Sequence, residues 1–164
     1  MVDFFQKLAK RLKRGKLTFM QSDGHILTHT THEEVMFFDT DLGGVMHNLA
    51  YLRMVETCRT KLAEKMGMNL LEMAESEEYP VVLTTEAAYK KPAKLSDRLE
   101  IVGALSTVER VRFWCTFQVK RESTGEVLLE VKQSLALVQM PAAKPKRLPK
   151  EWYSDPDYFC RLDS

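Results

Sequence analysis

The sequence predicts an α+β domain in which one long helix lies against a curved antiparallel sheet. Three observations carry this: a helix-period apolar stripe through Tyr51, Val55, Cys58, Leu62 and Met66, a run of period-two segments downstream, and short turn-forming connections between them.

A strand is predicted over 30–38, with Val35, Met36, Phe37 and Phe38 as its apolar end. From Asn48 the pattern turns helical. The stripe alternates spacings of four and three, Leu52 widens it, and Gly67 sits where a C-terminal cap belongs. A helix of about 20 residues needs a broad apolar surface to lie against. Four later strands supply it. Residues 80–90 place Val81, Leu83, Thr85, Ala87 and Tyr89 on one side, and 99–105 repeat the alternation through Leu99, Ile101, Gly103 and Leu105. Val111, Phe113, Cys115, Phe117 and Val119 give the cleanest period of two. Ser123-Thr124-Gly125 is a hairpin turn before a long strand over 127–138. Short connections among these four strands predict antiparallel neighbours.

The chain divides into three parts. Residues 1–27 form a basic amphipathic extension, with Phe4, Phe5, Leu8 and Leu12 on one face of a helix that Gly15 would stop. It reads either as a membrane-surface or partner-docking helix or as a terminal helix packed on the domain, and its short apolar face favours the second. Residues 28–140 form the main domain. Residues 141–164 form a tail whose Pro141, Pro145, Pro149 and Pro156 predict extended backbone, and whose Trp152, Tyr153, Tyr158 and Phe159 predict docking.

Of 164 residues, 45% are apolar and 29% charged, with a net charge of +1. The even balance argues against a nucleic-acid partner, so steering of an anionic ligand would need a local patch. No apolar run approaches the roughly 20 residues that cross a bilayer, and the basic N-terminus lacks the apolar run and cleavage site of a signal peptide. Cys58 on the helix and Cys115 on a strand read as reduced packing residues, with Cys160 left over. A cytoplasmic protein with no integral membrane segment is expected. His25, His29 and His32 have helix-like spacing, but the threonines between them favour extended structure, so no metal site is expected. No cofactor is expected.

The chemistry concentrates in 37–51. There Asp41 precedes two glycines and a helix N-terminus, whose free N–H groups can hold a developing negative charge. A water-activating base beside oxyanion donors is what hydrolysis of an activated acyl group requires. Gly43 and Gly44 allow a tight turn and close approach to the backbone, and the donors would lie near His47, Asn48 and Leu49. Alternatives stay open on the residues alone. Asp39 and Asp41 could be turn and cap residues, and His47 could polarise a carbonyl, orient water, bond Asp41 or cap the helix.

The run Asp39-Thr40-Asp41-x-Gly43-Gly44-Val45, followed by Asn48 and Tyr51, resembles the active-site segment of the 4-hydroxybenzoyl-CoA thioesterase family of hot-dog-fold enzymes. The resemblance spans roughly 30–138. It implies a hot-dog fold, with the curved antiparallel sheet wrapped around one long central helix. It also implies an acyl-CoA thioesterase that hydrolyses an acyl- or aroyl-CoA to free acid and CoA, with Asp41 as base or nucleophile. On the same footing Asn48 and His47 join the catalytic group, and Gly43, Gly44 and Tyr51 meet the substrate. Glu56 would shape the acyl pocket, with an ion pair to Arg53 or Arg59 as its other reading. Arg110 and Arg112 would contact the phosphates of coenzyme A, though exposed strand ends also carry such charges for solubility. Asp97 reads as structural. Family members pair their sheets in dimers with the active site at the subunit interface, which implies a homodimer or homotetramer. The tail's Leu148-Pro149-Lys150-Glu151-Trp152 is similar to the ending of thioesterases acting on 1,4-dihydroxy-2-naphthoyl-CoA. The rival reading is a non-catalytic hot-dog module that binds an acyl thioester or a protein through the N-terminal helix and the tail. The intact Asp41 favours the enzyme.

Overall fold

The computed structural model describes residues 27–155 and 157–162. In chain order the elements are β1 (Leu27–Glu34), a 3-10 turn (Phe37–Asp39), α1 (Asn48–Lys65), α2 (Leu70–Ser76), β2 (Glu78–Tyr89), β3 (Arg98–Val108), β4 (Phe113–Arg121), β5 (Val127–Gln139), β6 (Lys144–Pro145), α3 (Glu151–Ser154) and a second 3-10 turn (Cys160–Leu162). The strands form one antiparallel sheet in the order β1-β3-β4-β5-β2, with β6 added to β5. Register shifts at Leu105/Thr107, Val119/Lys120 and Val82/Thr84 add local bend and twist, and α1 packs against β1, β3 and β4.

α1 buries Tyr51, Met54, Val55, Cys58 and Leu62, so the predicted stripe is its core face, and Met54 adds to it. Contact is close because Gly103 has no side chain. A Cβ there would lie 2.9 Å from both Cys58 Sγ and Phe117 Cε1. Gly67, at φ +85°, lets the chain turn away after the helix.

Four expectations are corrected. First, β1 ends at Glu34, and Phe37 and Phe38 lie in the 3-10 turn with 81% and 72% of their surface exposed. Their apolar character marks an uncovered surface, not a strand end. Second, β2 pairs with β5 and not with β3. The connection 90–97 crosses the start of α1, where Met46 N–H donates to Ala93 O (2.9 Å), Ala93 N–H donates to Tyr51 Oη (2.8 Å), and Val45 bridges Lys94. A sheet folded around a helix makes that crossing short. The bulge in β2 also interrupts the alternation predicted there. Third, α2 was not foreseen: Asn69 caps it, its side chain accepting from Leu71 N–H (2.9 Å). Fourth, the tail docks as its aromatics predict, but it is not extended throughout. β4 reaches only to Phe113, opposite Leu135, and beyond that point β6 pairs with Val138 and Gln139 of β5. α3 then buries Trp152 edge-on against Phe113 (6.0 Å) and Phe159 (5.4 Å).

Leu27, placed with the extension by sequence, opens β1 and is buried. The amphipathic helix with Phe4, Phe5, Leu8 and Leu12 lies outside the described residues. No helix among the described residues is long and apolar enough to cross a membrane.

Candidate active site

The loop before α1 is built by two aspartates with different tasks. Asp39 is buried. Its Oδ2 accepts from Met36 N–H (3.0 Å), its backbone carbonyl accepts from His47 N–H (2.9 Å), and Arg53 Nη2 lies 3.5 Å from its Oδ1. Arg53 also reaches Glu33 (3.7 Å), so it ties β1, the 3-10 turn and α1 together. Asp41 is exposed on the single chain, and its Oδ1 accepts from Gly43 N–H (2.7 Å).

The loop closes on itself. Asp41 N–H donates to Val45 O (2.9 Å), Gly44 N–H donates to Asp41 O (3.0 Å), and Thr40 bridges Met46. Each glycine has a physical reason. Gly44 sits at φ +70°, and a Cβ on Gly43 would lie 3.0 Å from Asp41 Oδ1.

His47 is the N-cap of α1, its Nδ1 accepting from Ala50 N–H (3.1 Å). Of its open alternatives the structure displays the cap. Accepting at Nδ1 puts the ring proton on Nε2. Asn48 opens the helix, and among the described residues no acceptor meets the N–H groups of Asn48 and Leu49. Asp41, Gly43, Gly44, His47 and Asn48 therefore share one loop and helix start, with two backbone donors open at the positive end of α1.

The other predicted site residues lie apart. Tyr51 is buried on the first turn, with its hydroxyl accepting from Ala93 and its ring edge-on to Tyr89 at 5.7 Å. Burial pushes that hydroxyl above the usual tyrosine value, against the smaller effect of the Ala93 hydrogen bond. Tyr51 thus anchors the 90–97 connection over the helix start. Glu56 is exposed two turns further on and pairs with Arg59 (3.0 Å), the ion-pair alternative. Arg110 and Arg112 lie in the β3–β4 hairpin. Glu34 pairs with Arg98 at the helix-start end and Leu27 with Leu105 at the other, so this hairpin sits at the end of the sheet remote from Asp41. Arg112 stacks its guanidinium over Trp114 at 5.5 Å, and Arg110 is exposed. Basic residues near the helix start include Lys90 and Lys91, paired with Glu130 and Glu126, Lys94, which bridges Val45, and Arg53 on Asp39. Asp97 is structural, accepting from Lys94 N–H (2.9 Å) and Arg121 Nε (3.0 Å). Cys58 and Cys115 are buried, and desolvation pushes the Cys115 thiol up to about 12. Among the described residues no His, Cys, Asp or Glu side chains converge in a metal-holding group, and His25 lies outside them.

Sequence reasoning missed two features. The Arg53 clamp joins groups from separate elements and leaves no local signal. An uncovered apolar patch surrounds the site: beside Phe37 and Phe38, Leu42 is fully exposed and Leu49 is 66% exposed. The adjacent phenylalanines were its available signal.

Residues 35–154 match the family model described as the Thioesterase-like superfamily. Among similar sequences is the acyl-CoA thioesterase YbgC of Haemophilus influenzae, 28% identical over 118 residues, which cover 71% of this chain and 85% of that protein. Among solved structures, Slr0204, a 1,4-dihydroxy-2-naphthoyl-CoA thioesterase from Synechocystis, aligns with a TM-score of 0.72 at 20% identity, covering 84% of this chain and 98% of that one. The Staphylococcus aureus protein SAV2348, solved in complex with CoA, aligns with a TM-score of 0.73 at 12% identity, covering 84% and 86%. The fold is the hot-dog fold that the resemblance implied.

Proposed function

Because this chain belongs to the Thioesterase-like superfamily, and so to the thioester hydrolases, we propose that it hydrolyses an acyl-CoA thioester using Asp41 and the start of α1. The observation that carries this reading is a carboxylate held by Gly43 in the same loop that leads to two open helix amides. Asp41 takes a proton from water as the water oxygen attacks the thioester carbonyl, or its own oxygen attacks and the resulting anhydride is hydrolysed in a second step. In either route the carbonyl oxygen gains negative charge, and the Asn48 and Leu49 N–H groups donate to it. In the first route the C–S bond then breaks, the CoA thiolate takes the proton from Asp41 and the free acid leaves. In the second the thiolate leaves as the anhydride forms and takes a proton from solvent, and water then splits the anhydride into the free acid and Asp41. His47, with its proton on Nε2, is suited to donate to the carbonyl oxygen or orient the water.

On one chain this apparatus faces solvent, where each hydrogen bond to the oxyanion is weakened. A second copy seated on Phe37, Phe38, Leu42 and Leu49 would exclude water and complete the site, so the working form is a homodimer or homotetramer. Arg110 and Arg112, at the opposite end of the sheet, would reach the CoA phosphates of a site only from a neighbouring copy. Two buried thiols suit a reducing compartment, the cytoplasm.

The test is thiol release from a panel of butyryl-, decanoyl-, benzoyl- and naphthoyl-CoA. The native protein cleaves at least one of them, and Asp41→Asn lowers its kcat/KM by about 10²–10⁴. Tight binding of every member without thiol release would instead make the chain a non-catalytic acyl-thioester module.

A further inference from the structure

The hydrolytic apparatus leaves an apolar cavity unused. Beside the C-terminal half of α1 lies a cavity of about 200 Å³, walled by Leu62, Met66, Met68, Met73, Phe113 and Leu135. All six wall side chains are buried. An engineered apolar cavity of about 150 Å³ is enough to take a benzene molecule. Three of the six walls are methionines, whose unbranched and polarizable side chains adapt to the shape of a flexible guest.

On α1 the cavity is lined by Glu56, Arg59, Thr60 and Ala63, and because Glu56 is exposed we take this side as its mouth towards the helix start. The same face continues back to the helix start. Leu49, Leu52, Glu56, Thr60 and Ala63 follow spacings of three and four, so they form one stripe. Leu49 is exposed beside the open amides, and Leu52, Thr60 and Ala63 are half-buried. From Asn48 to Glu56 the helix rises about 12 Å. A benzoyl group held at the amides would end well short of the mouth, whereas an extended aliphatic chain can follow the stripe into it. The rim carries no unpaired charge for a polar tail: Arg59 is shared between Glu56 (3.0 Å) and Gln133 (3.1 Å), and Gln133 also bonds Thr85 (3.2 Å).

We propose that this cavity receives the far end of a long, uncharged aliphatic acyl chain whose thioester lies at the start of α1. The inference rests on the thioesterase reading and names its substrate class. The stripe measures chain length, and the methionine-lined chamber rewards chains that reach it.

Binding of S-butyl-, S-octyl- and S-dodecyl-CoA, thioethers that cannot be hydrolysed, tests this apart from catalysis. Affinity rises about fourfold for each methylene that enters the cavity. Ala63→Phe, which puts a ring into the mouth, lowers the dodecyl-to-butyl affinity ratio at least tenfold. Met73→Ala, which enlarges the chamber, moves the optimum to longer chains, and a thermal melt establishes that each variant is folded. Equal affinity for butyl and dodecyl in the native protein, or an unaltered ratio in both variants, would overturn the inference. Hydrolysis of short or aromatic thioesters alongside flat thioether binding would sink the cavity proposal and leave the hydrolase standing. A chain-length rise without hydrolysis of any thioester would do the reverse.

Discussion

The two ends of α1 are built by opposite means. At its N-terminus, short-range hydrogen bonds of the loop and the first helical turn, to backbone and side-chain acceptors, hold Asp41, the glycines and the cap in place, and the result is polar and open. At its C-terminus, side chains from α1, α2, β2, β4 and β5 enclose an apolar chamber, and the tail packs against one of its walls through Trp152 and Phe113. The lesson is that position and enclosure are separate problems. A loop of a few residues can aim a carboxylate, but only several distant segments together can shut out water. The exposed groups that aim are therefore expected to respond to mutation in rate, and the buried groups that enclose or brace in stability.

Trp152→Ala should have the largest effect on the enclosing end. It removes a ring packed between Phe113 and Phe159, and large-to-small changes of this kind cost about 3–5 kcal/mol. Denaturant unfolding should register that loss. A melt little changed would mean that the tail merely rests on the domain.

Gly43→Ala addresses the aiming end. Its new Cβ would lie 3.0 Å from Asp41 Oδ1, so the carboxylate must move. The shift needed is a few tenths of an ångström, and since a displacement of about 1 Å can cost on the order of 10²-fold, kcat/KM should fall by roughly threefold to tenfold. Melting should change little, because Gly43 is exposed. If stability fell and rate did not, the division between the two ends would fail.

Gly103→Ala sharpens the comparison from the middle of the helix. The added methyl collides with Cys58 and Phe117, and overpacking costs about 1–3 kcal/mol. In a chain of this length each kcal/mol lowers the melting point by roughly 2–4 °C. Both ends should then loosen together, visible as faster amide exchange at the start of α1 and beside the chamber.

The smallest effect is chemical. Cys160 is exposed, while Cys58 and Cys115 are buried and their thiols are pushed up by desolvation. A thiol reagent should label Cys160 alone in the folded protein and all three cysteines after unfolding. Labelling of Cys58 in the native state would mean that α1 lifts from the sheet.

The same contrast explains what was legible in the sequence. The stripe from Tyr51 to Met66 and the alternation from Phe113 to Val119 can be read because each element meets a single packed face, and periodicity records it. The Asp41 segment can be read because its chemistry is local. Phe37 and Phe38 misled because an apolar pair reads alike at a strand end and on an uncovered surface. The pairing of β2 with β5 left only a weak signal in loop length: eight residues, 90–97, cross the helix start, against four in the β3–β4 hairpin and five in the β4–β5 hairpin. The chamber was invisible for a similar reason. Leu62, Met73, Phe113 and Leu135 belong to four elements, and nothing in their spacing along the chain brings them together.

The central claim is that the two aspartates divide the work, Asp39 holding the loop and Asp41 acting on the thioester. Thiol release and thermal melting, measured side by side for Asp39→Asn and Asp41→Asn, test it directly. Asp41→Asn should keep its melting point and lose about 10²–10⁴ in kcat/KM. Asp39→Asn, which disturbs a buried carboxylate serving Met36 and Arg53, should lose about 1–3 kcal/mol of stability. Full turnover by Asp41→Asn on every thioester that the native protein cleaves would contradict the account.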